Sequence, residues 1–137
     1  KVFQPKELRG TWGKKLLIPT KIYVKPVMAL VKRGLVKAIA HITGSGLYGN
    51  VPRVLPNNKN VVIKKGAWPI PPIFREIQKR GAISEREMFT TFNMGIGMTL
   101  IVSRNNEKKV LALLDQLHFP AKTIGAVTSG NNSVKII

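Results

Sequence analysis

The sequence predicts an α+β fold, with a mixed β-sheet covered by helices. Apolar and β-branched runs typical of strands recur along the chain, for example at residues 35–42. Segments with a helical spacing of apolar residues lie between them, most clearly at residues 110–117. Because the two kinds of segment do not alternate strictly, the pattern does not indicate a parallel sheet built from βαβ units.

The length of the chain predicts one domain. A chain of 137 residues can form a single hydrophobic core, and a hydrophobic content of 44% is ordinary for a globular protein. Residues 1–19 are basic and interrupted by Gly10, Gly13 and Pro19, so we interpret them as a linker or the tail of an upstream domain. Residues 20–137 then form the single α+β domain.

The first helix is predicted just after the start of this domain. Pro26 can occupy its first turn, and Val27, Leu30 and Val31 fall on one face. Gly34 is a suitable residue to end it. The apolar run at residues 35–42 follows as a buried strand.

Capping signals predict two later helices. Ser84 and Glu87 form a capping box, which predicts a short helix from Glu85 to about residue 91. Asn105 or Asn106 caps the helix that contains the apolar face at residues 110–117. The other predicted elements are a helix at 73–80 and strands at 60–64, 98–103, 122–128 and 133–137. A Gly-Asn-Asn turn separates the last two strands, which predicts a hairpin.

His41 and the turn after it form the candidate chemical centre. His41 lies at the end of the first predicted strand and is followed by Thr43, Gly44, Ser45 and Gly46. Glycines allow backbone N–H groups to approach a ligand closely, and residues 47–50 read as a first helical turn, so we expect an anion site here. Asn50 and Arg53 follow, and the guanidinium could bind phosphate.

The same glycines satisfy a dinucleotide-binding spacing that we reject. Gly44, Gly46 and Gly49 match G-x-G-x-x-G. Pro52 prevents a long helix from following directly, and the acidic residue expected about 20 positions later is absent. We therefore interpret the match as a coincidence.

The charge of the chain suggests an alternative function. With 23 basic and 6 acidic residues the formal net charge is +17, which is typical of proteins that bind nucleic acid or another polyanion. The aromatic residues do not alternate with basic ones along any predicted strand, as a base-stacking surface would require. We therefore do not expect nucleic acid as the partner.

Several kinds of site and location are not expected. The sequence has no cysteine, which excludes disulfides and thiolate metal sites, and we predict no metal site in this chain. No apolar run reaches the length of a membrane span, and the N-terminus lacks a signal core, so we expect a cytoplasmic protein without a membrane partner.

Five segments occur in the order found in one known family. They are PTKIYVKPV, AHITGSGLYGNVPRVLP, WPIPPIF, EMFTTFNMGIGM and KTIGAV. From about Leu16 onward the sequence resembles the C-terminal domain of the phosphoribosylformylglycinamidine cyclo-ligases, also called aminoimidazole ribonucleotide synthetases. Several motifs in one order are more specific than any single motif.

This resemblance implies an activity in purine biosynthesis. Family members use ATP to activate the formyl oxygen of formylglycinamidine ribonucleotide, after which an internal amine attacks, phosphate leaves and the imidazole ring closes. It also implies an N-terminal ATP-binding domain with Mg²⁺-binding carboxylates, and a homodimer built mainly through that domain. With 6 acidic residues and no cluster among them, this chain cannot supply a convincing Mg²⁺–ATP site. We therefore expect it to be inactive alone.

The resemblance assigns site residues position by position. His41 matches the histidine of the family's HITGGG motif and is the implied catalytic residue, with Thr43, Gly44 and Gly46 in its turn. The implied substrate- or phosphate-binding residues outside this turn are Asn50, Arg53, Asn93, Gly95 and Gly97. For Gly95 and Gly97 close packing is an equally good explanation.

Two residues depart from the family pattern. Ser45 replaces a usual glycine, which we expect to cost little if its φ is negative. Gly49 replaces a usual glutamate and removes a charge beside the site. The leading hypothesis is thus a cyclo-ligase C-terminal domain. The alternatives are a basic polyanion-binding module on the same fold and another member of the wider ATP-dependent superfamily.

Overall fold

The computed structural model describes residues 11–137, so the first half of the predicted linker lies outside the described residues. Six helices and five strands are present in this range. The helices are α1 Trp12–Leu16, α2 Val24–Val31, α3 Gly46–Asn50, α4 Pro72–Gly81, α5 Glu85–Thr91 and α6 Glu107–Gln116. The strands are β1 Ala38–His41, β2 Lys59–Ile63, β3 Met98–Ile101, β4 Gly125–Ser129 and β5 Val134–Ile136, and short 3-10 helices span Pro52–Val54 and Arg104–Asn106.

The strands form two sheets within residues 11–137. β1 pairs antiparallel with β3, and His41 lies opposite Met98. The second sheet has the order β4-β2-β5, with β2 antiparallel to β4 and parallel to β5. The prediction of α+β with a mixed sheet is confirmed, because the three-stranded sheet is mixed and helices pack on both sheets.

The predicted C-terminal hairpin is wrong. β4 and β5 do not pair with each other, because β2 lies between them. The side chain of Asn60 contributes to this arrangement, because its Oδ1 accepts hydrogen bonds of 2.9 Å from the backbone N–H groups of Asn131 and Ser133. The turn is thereby tied to β2, and the chain after it runs along the far side of that strand.

Two apolar clusters form the core. The larger one joins the two sheets to α3 and α5, and it includes the fully buried Ile42, Leu47 and Met88. The smaller one packs α2 against α6 through Leu30, Val110 and Leu114, among others. On α2 the predicted apolar face is only partly correct, because Val31 is 44% exposed.

Local capping explains where the helices begin. Ser84 caps α5 and accepts a hydrogen bond of 3.2 Å from the N–H of Glu87, which confirms the capping box. Asn106 stands at the start of α6, but its side chain makes no capping bond. In the predicted linker, Thr11 caps α1 by accepting from the N–H of Lys14. Part of that segment is therefore helical, and the domain boundary at residue 20 stays a prediction.

Candidate functional site

His41 lies on the open face at the end of β1. Burial alternates at this point, with Ala40 and Ile42 buried and His41 exposed between them. The imidazole packs against the ring of Tyr23, with centroids 5.9 Å apart and planes at 62°. Among residues 11–137 it has no hydrogen-bond or ion-pair partner. Its nitrogens are therefore available to a ligand.

The turn after His41 is strained at Ser45. Ser45 has φ +74° and Gly46 has φ +52°, so both residues are in the left-handed region. The condition under which Ser45 would cost little, a negative φ, is therefore not met, and a non-glycine residue in this conformation costs about 1 kcal/mol or more. This cost explains why glycine suits the position.

Gly46 is a packing residue in this turn. It is buried, and its N–H donates to the carbonyl of Thr43 at 3.1 Å. A Cβ at Gly46 would overlap the carbonyl oxygens of Phe89 and Phe92 at the end of α5. Of the predicted anion-binding positions, Thr43, Gly44 and Ser45 are exposed, whereas Gly46 already uses its N–H within the turn.

Asn50 holds the turn from inside. Its side chain is 5% exposed, and Nδ2 donates to the carbonyl oxygens of Gly44 and Gly46, both at 2.8 Å. A third contact, to the carbonyl of Thr43, measures 3.4 Å. The amide group thus fixes the shape of the loop, and a ligand contact by Asn50 stays a prediction.

The second predicted turn is closed by Asn93. Its Oδ1 accepts from the N–H of Gly95 at 3.0 Å, and its carbonyl accepts from the N–H of Ile96 at 2.9 Å. Met94 and Gly95 both have positive φ, of +50° and +93°. A Cβ at Gly95 would lie 2.5 Å from Cδ of Pro71. Glycine at this position is therefore required by backbone conformation and by packing.

The two glycine turns lie side by side although about fifty residues separate them in the sequence. The N–H of Ile42 donates to the carbonyl of Gly97 at 2.9 Å, which extends the pairing of β1 with β3. His41 and the turn ending at Gly97 consequently share one end of this sheet. A Cβ at Gly97 would overlap the hydroxyl of Tyr23.

Arg53 lies on the 3-10 helix that starts at Pro52. This helix contacts β1, so the structure brings the segment carrying Arg53 to the strand that carries His41. The Arg53 side chain is exposed and has no hydrogen bond or ion pair within residues 11–137. Its guanidinium is free to bind an anion.

Sequence reasoning missed Tyr23 as a neighbour of His41 in the candidate site. Its ring contacts the rings of both His41 and Phe119, and the centroid of the Phe119 ring lies 6.2 Å from that of Tyr23. Tyr23 belongs to the PTKIYVKPV segment, yet a single aromatic residue in a basic segment carries no periodic signal. The one indication in the sequence was Gly97, because a glycine leaves room for a neighbouring side chain.

The described residues do not fit a Mg²⁺ ion. Within residues 11–137 no group of three His, Asp or Glu side chains is placed to hold a metal. Mg²⁺ requires oxygen ligands in near-octahedral geometry, usually from carboxylates.

None of the helices in the described range, residues 11–137, has the length and apolar character that crossing a membrane requires.

Comparison with known families gives one match over nearly the whole chain. The family model described as "AIR synthase related protein, C-terminal domain" matches residues 4–137. This match confirms the resemblance inferred from the five sequence segments.

Curated relatives carry a ligase name. The chain is 50% identical over 127 residues to a phosphoribosylformylglycinamidine cyclo-ligase of Shouchella clausii, covering 93% of this chain and 37% of the relative. It is 48% identical over 128 residues to the protein of the same name from Caldicellulosiruptor bescii, covering 93% and 38%. The chain thus spans little more than a third of these relatives, which lend no support to a polyanion-binding module.

A solved structure shows the same fold. The crystal structure of E. coli HypE, a hydrogenase maturation protein, superposes with a TM-score of 0.64 over 85% of this chain and 36% of that chain. The sequence identity is 21%, so this likeness concerns the fold alone.

Proposed function

The chain belongs to the family of C-terminal domains of AIR synthase related proteins. We therefore propose that it is the C-terminal part of a phosphoribosylformylglycinamidine cyclo-ligase. The observation that carries this proposal is the 50% identity over 93% of the chain with a protein of that name. The substrate of the complete enzyme is a small ribonucleotide, formylglycinamidine ribonucleotide. Its product is the ring-closed aminoimidazole ribonucleotide.

In this proposal His41 is the catalytic residue of the chain. Its imidazole is exposed, lacks a hydrogen-bond partner within residues 11–137 and lies beside two glycine turns. An imidazole so placed can accept the proton that the attacking amine loses on ring closure, or donate a hydrogen bond to the departing phosphate oxygen. Arg53 supplies a positive charge to hold a phosphate group of the nucleotide.

ATP supplies the phosphoryl group that turns the formyl oxygen into a leaving group. Because the described residues do not fit Mg²⁺, we propose that the metal and most of the ATP are bound by the N-terminal domain of the longer protein. Binding of the metal by another domain is consistent with the coverage of the relative, because this chain spans only 37% of its length. We further propose a cytoplasmic homodimer, assembled mainly through that N-terminal domain.

An apolar surface offers a docking place for this N-terminal domain. It consists of large side chains that are 44% to 82% exposed, and we call it the N-terminal apolar surface: Leu16, Leu17, Ile18, Ile22, Val24, Met28 and Val31. Exposed apolar side chains concentrated in one segment mark an interaction site. The surface belongs to α1, α2 and the segment between them, near the N-terminal end of the chain, where the proposed upstream domain would be joined. We therefore assign it to that domain.

A chimeric enzyme tests the proposed function. The upstream part of the Shouchella clausii relative is fused to this chain and expressed in a purine auxotroph that lacks the cyclo-ligase. We expect growth without purine and ATP-dependent ring closure by the purified chimera, whereas the chain alone should show no turnover. Failure of a well-folded chimera to close the ring contradicts the proposal.

Two substitutions in this chimera test the site. His41→Ala should lower kcat by about 10²- to 10⁴-fold, the usual contribution of a proton-transferring side chain. Arg53→Ala should chiefly raise KM, because a group that binds substrate and transition state equally does not change kcat. Arg104→Ala is the matched control, since Arg104 is an exposed arginine on the other 3-10 helix. Equal effects of Arg53→Ala and Arg104→Ala would remove Arg53 from the site.

A further inference from the structure

We propose that Tyr23 is a positioning residue that fixes the orientation of the His41 imidazole. The inference builds on the proposed role of His41 and adds a residue to which no role has been assigned. Tyr23 immediately precedes α2, and its ring meets His41 edge to face at 5.9 Å and 62°. Edge-to-face contact at this distance is a favoured geometry for aromatic rings.

His41 needs such a support because little else holds it. Its side chain is exposed, and within residues 11–137 it makes no hydrogen bond or ion pair. An unsupported exposed side chain samples several rotamers, and a proton-transferring group must be held in one of them to be effective. The ring of Tyr23 is the aromatic surface against which the imidazole rests.

Tyr23 is itself held on two further sides. Phe119, just after α6, packs on its ring at 6.2 Å with planes at 57°. At the hydroxyl end, Gly97 leaves the space that the phenol occupies, because a Cβ there would overlap the hydroxyl oxygen. Gly97 has an ordinary φ, so its backbone does not demand glycine. The contact with Tyr23 therefore gives a reason for glycine at position 97.

Nuclear magnetic resonance on the histidine-labelled chain tests the contact directly. The chain has 2 histidines, and His118→Gln assigns the remaining ring signals to His41. In the parent chain we expect cross-relaxation between the Tyr23 and His41 ring protons and a ring-current shift of the His41 signals. Tyr23→Leu should abolish both, Tyr23→Phe should keep both, and Gly97→Ala should weaken both by displacing the phenol.

A matched control separates this effect from general loosening of the fold. Phe74 and Phe92 form another half-buried ring pair at 5.9 Å, away from His41 in the sequence. Phe74→Leu removes a comparable aromatic contact and should leave the His41 signals unchanged. Unchanged His41 signals in Tyr23→Leu, or equal changes in Phe74→Leu, would overturn the proposal.

Kinetics of the chimeric enzyme test the consequence. Tyr23→Leu should lower kcat about tenfold with little change in KM, and Tyr23→Phe should restore most of the activity. Loss of activity in Tyr23→Phe equal to that in Tyr23→Leu would show that the hydroxyl matters instead, which overturns positioning by the ring. If His41→Ala leaves kcat unchanged while the ring contact is observed, the proposed role of His41 fails and the contact itself stands.

Discussion

The two departures from the family pattern, Ser45 and Gly49, form a compensating pair that can be tested by a double-mutant cycle. Ser45 is at the N-cap of α3 with φ +74°, and Gly49 is one helical turn later. A Cβ at residue 49 would approach the Cβ of Ser45 to less than the 3.0 Å that real Cβ atoms respect. Any residue other than glycine at position 49 therefore conflicts with serine at position 45.

The structure gives the expected free energies. Ser45→Gly removes about 1–2 kcal/mol of left-handed strain but makes the unfolded chain more flexible, so we expect a net gain of about 0.5–1 kcal/mol. Gly49→Ala gains about 1 kcal/mol of helix propensity and incurs about 1–3 kcal/mol of overlap with Ser45. In the double variant the overlap disappears. The two substitutions should therefore be coupled by about 1–3 kcal/mol, the size of the overlap term.

Urea unfolding followed by the fluorescence of buried Trp68 measures the coupling. The four corners of the cycle are the parent, Ser45→Gly, Gly49→Ala and the double variant. Gly13→Ala is the matched control for Gly49→Ala, since Gly13 is also in a helix and a Cβ there would meet nothing within 4 Å. A coupling energy below about 0.5 kcal/mol, which is the ordinary scatter of additivity, would refute the compensation.

Three further substitutions test how the glycine turns are held. Gly46→Ala should lower the free energy of unfolding by about 2–5 kcal/mol, because residue 46 has a positive φ and the added Cβ would overlap the Phe89 carbonyl. Gly44→Ala is its control and should change the melting temperature little, because a Cβ at position 44 would have no atom within 4 Å. Asn50→Ala should cost about 1–3 kcal/mol and speed hydrogen exchange at α3, with exposed Asn105→Ala as its control. Trp68→Phe removes the 2.9 Å hydrogen bond from Nε1 to the Met94 carbonyl, and urea unfolding followed by circular dichroism should show a loss of about 1–3 kcal/mol.

Local signals in the sequence predicted most elements well. The helix Glu85–Thr91 was predicted with its cap, because a capping box acts within one turn of chain. The turn after His41 and the strand before it were likewise predicted from glycines and β-branched residues. In each case the determining contacts lie within a few residues of one another.

The failures concern contacts between distant segments. The order β4-β2-β5 is accompanied by hydrogen bonds from the backbone N–H groups of Asn131 and Ser133 to Asn60, 71 and 73 residues away, which no periodicity reveals. The sign of φ at Ser45 was equally hidden, because the residue type does not reveal it. Because their contacts join distant segments, His41 and Gly97 belonged to separate motifs in the sequence. Tyr23, which contacts both, belonged to no recognised site motif.

The position of β2 between two later strands affects the folding of the domain during synthesis. Asn60 leaves the ribosome 73 residues before Ser133, its partner, which corresponds to about 4–15 s at ordinary rates of translation. For most of that interval neither β4 nor β5 has been synthesised, so we expect the apolar residues Val61 and Ile63 of β2 to be unpaired. Lys59 is the first residue of the strand, and Lys64 and Lys65 follow it directly. Such charges oppose intermolecular strand pairing, so we expect them to protect the segment until its own chain provides β4 and β5.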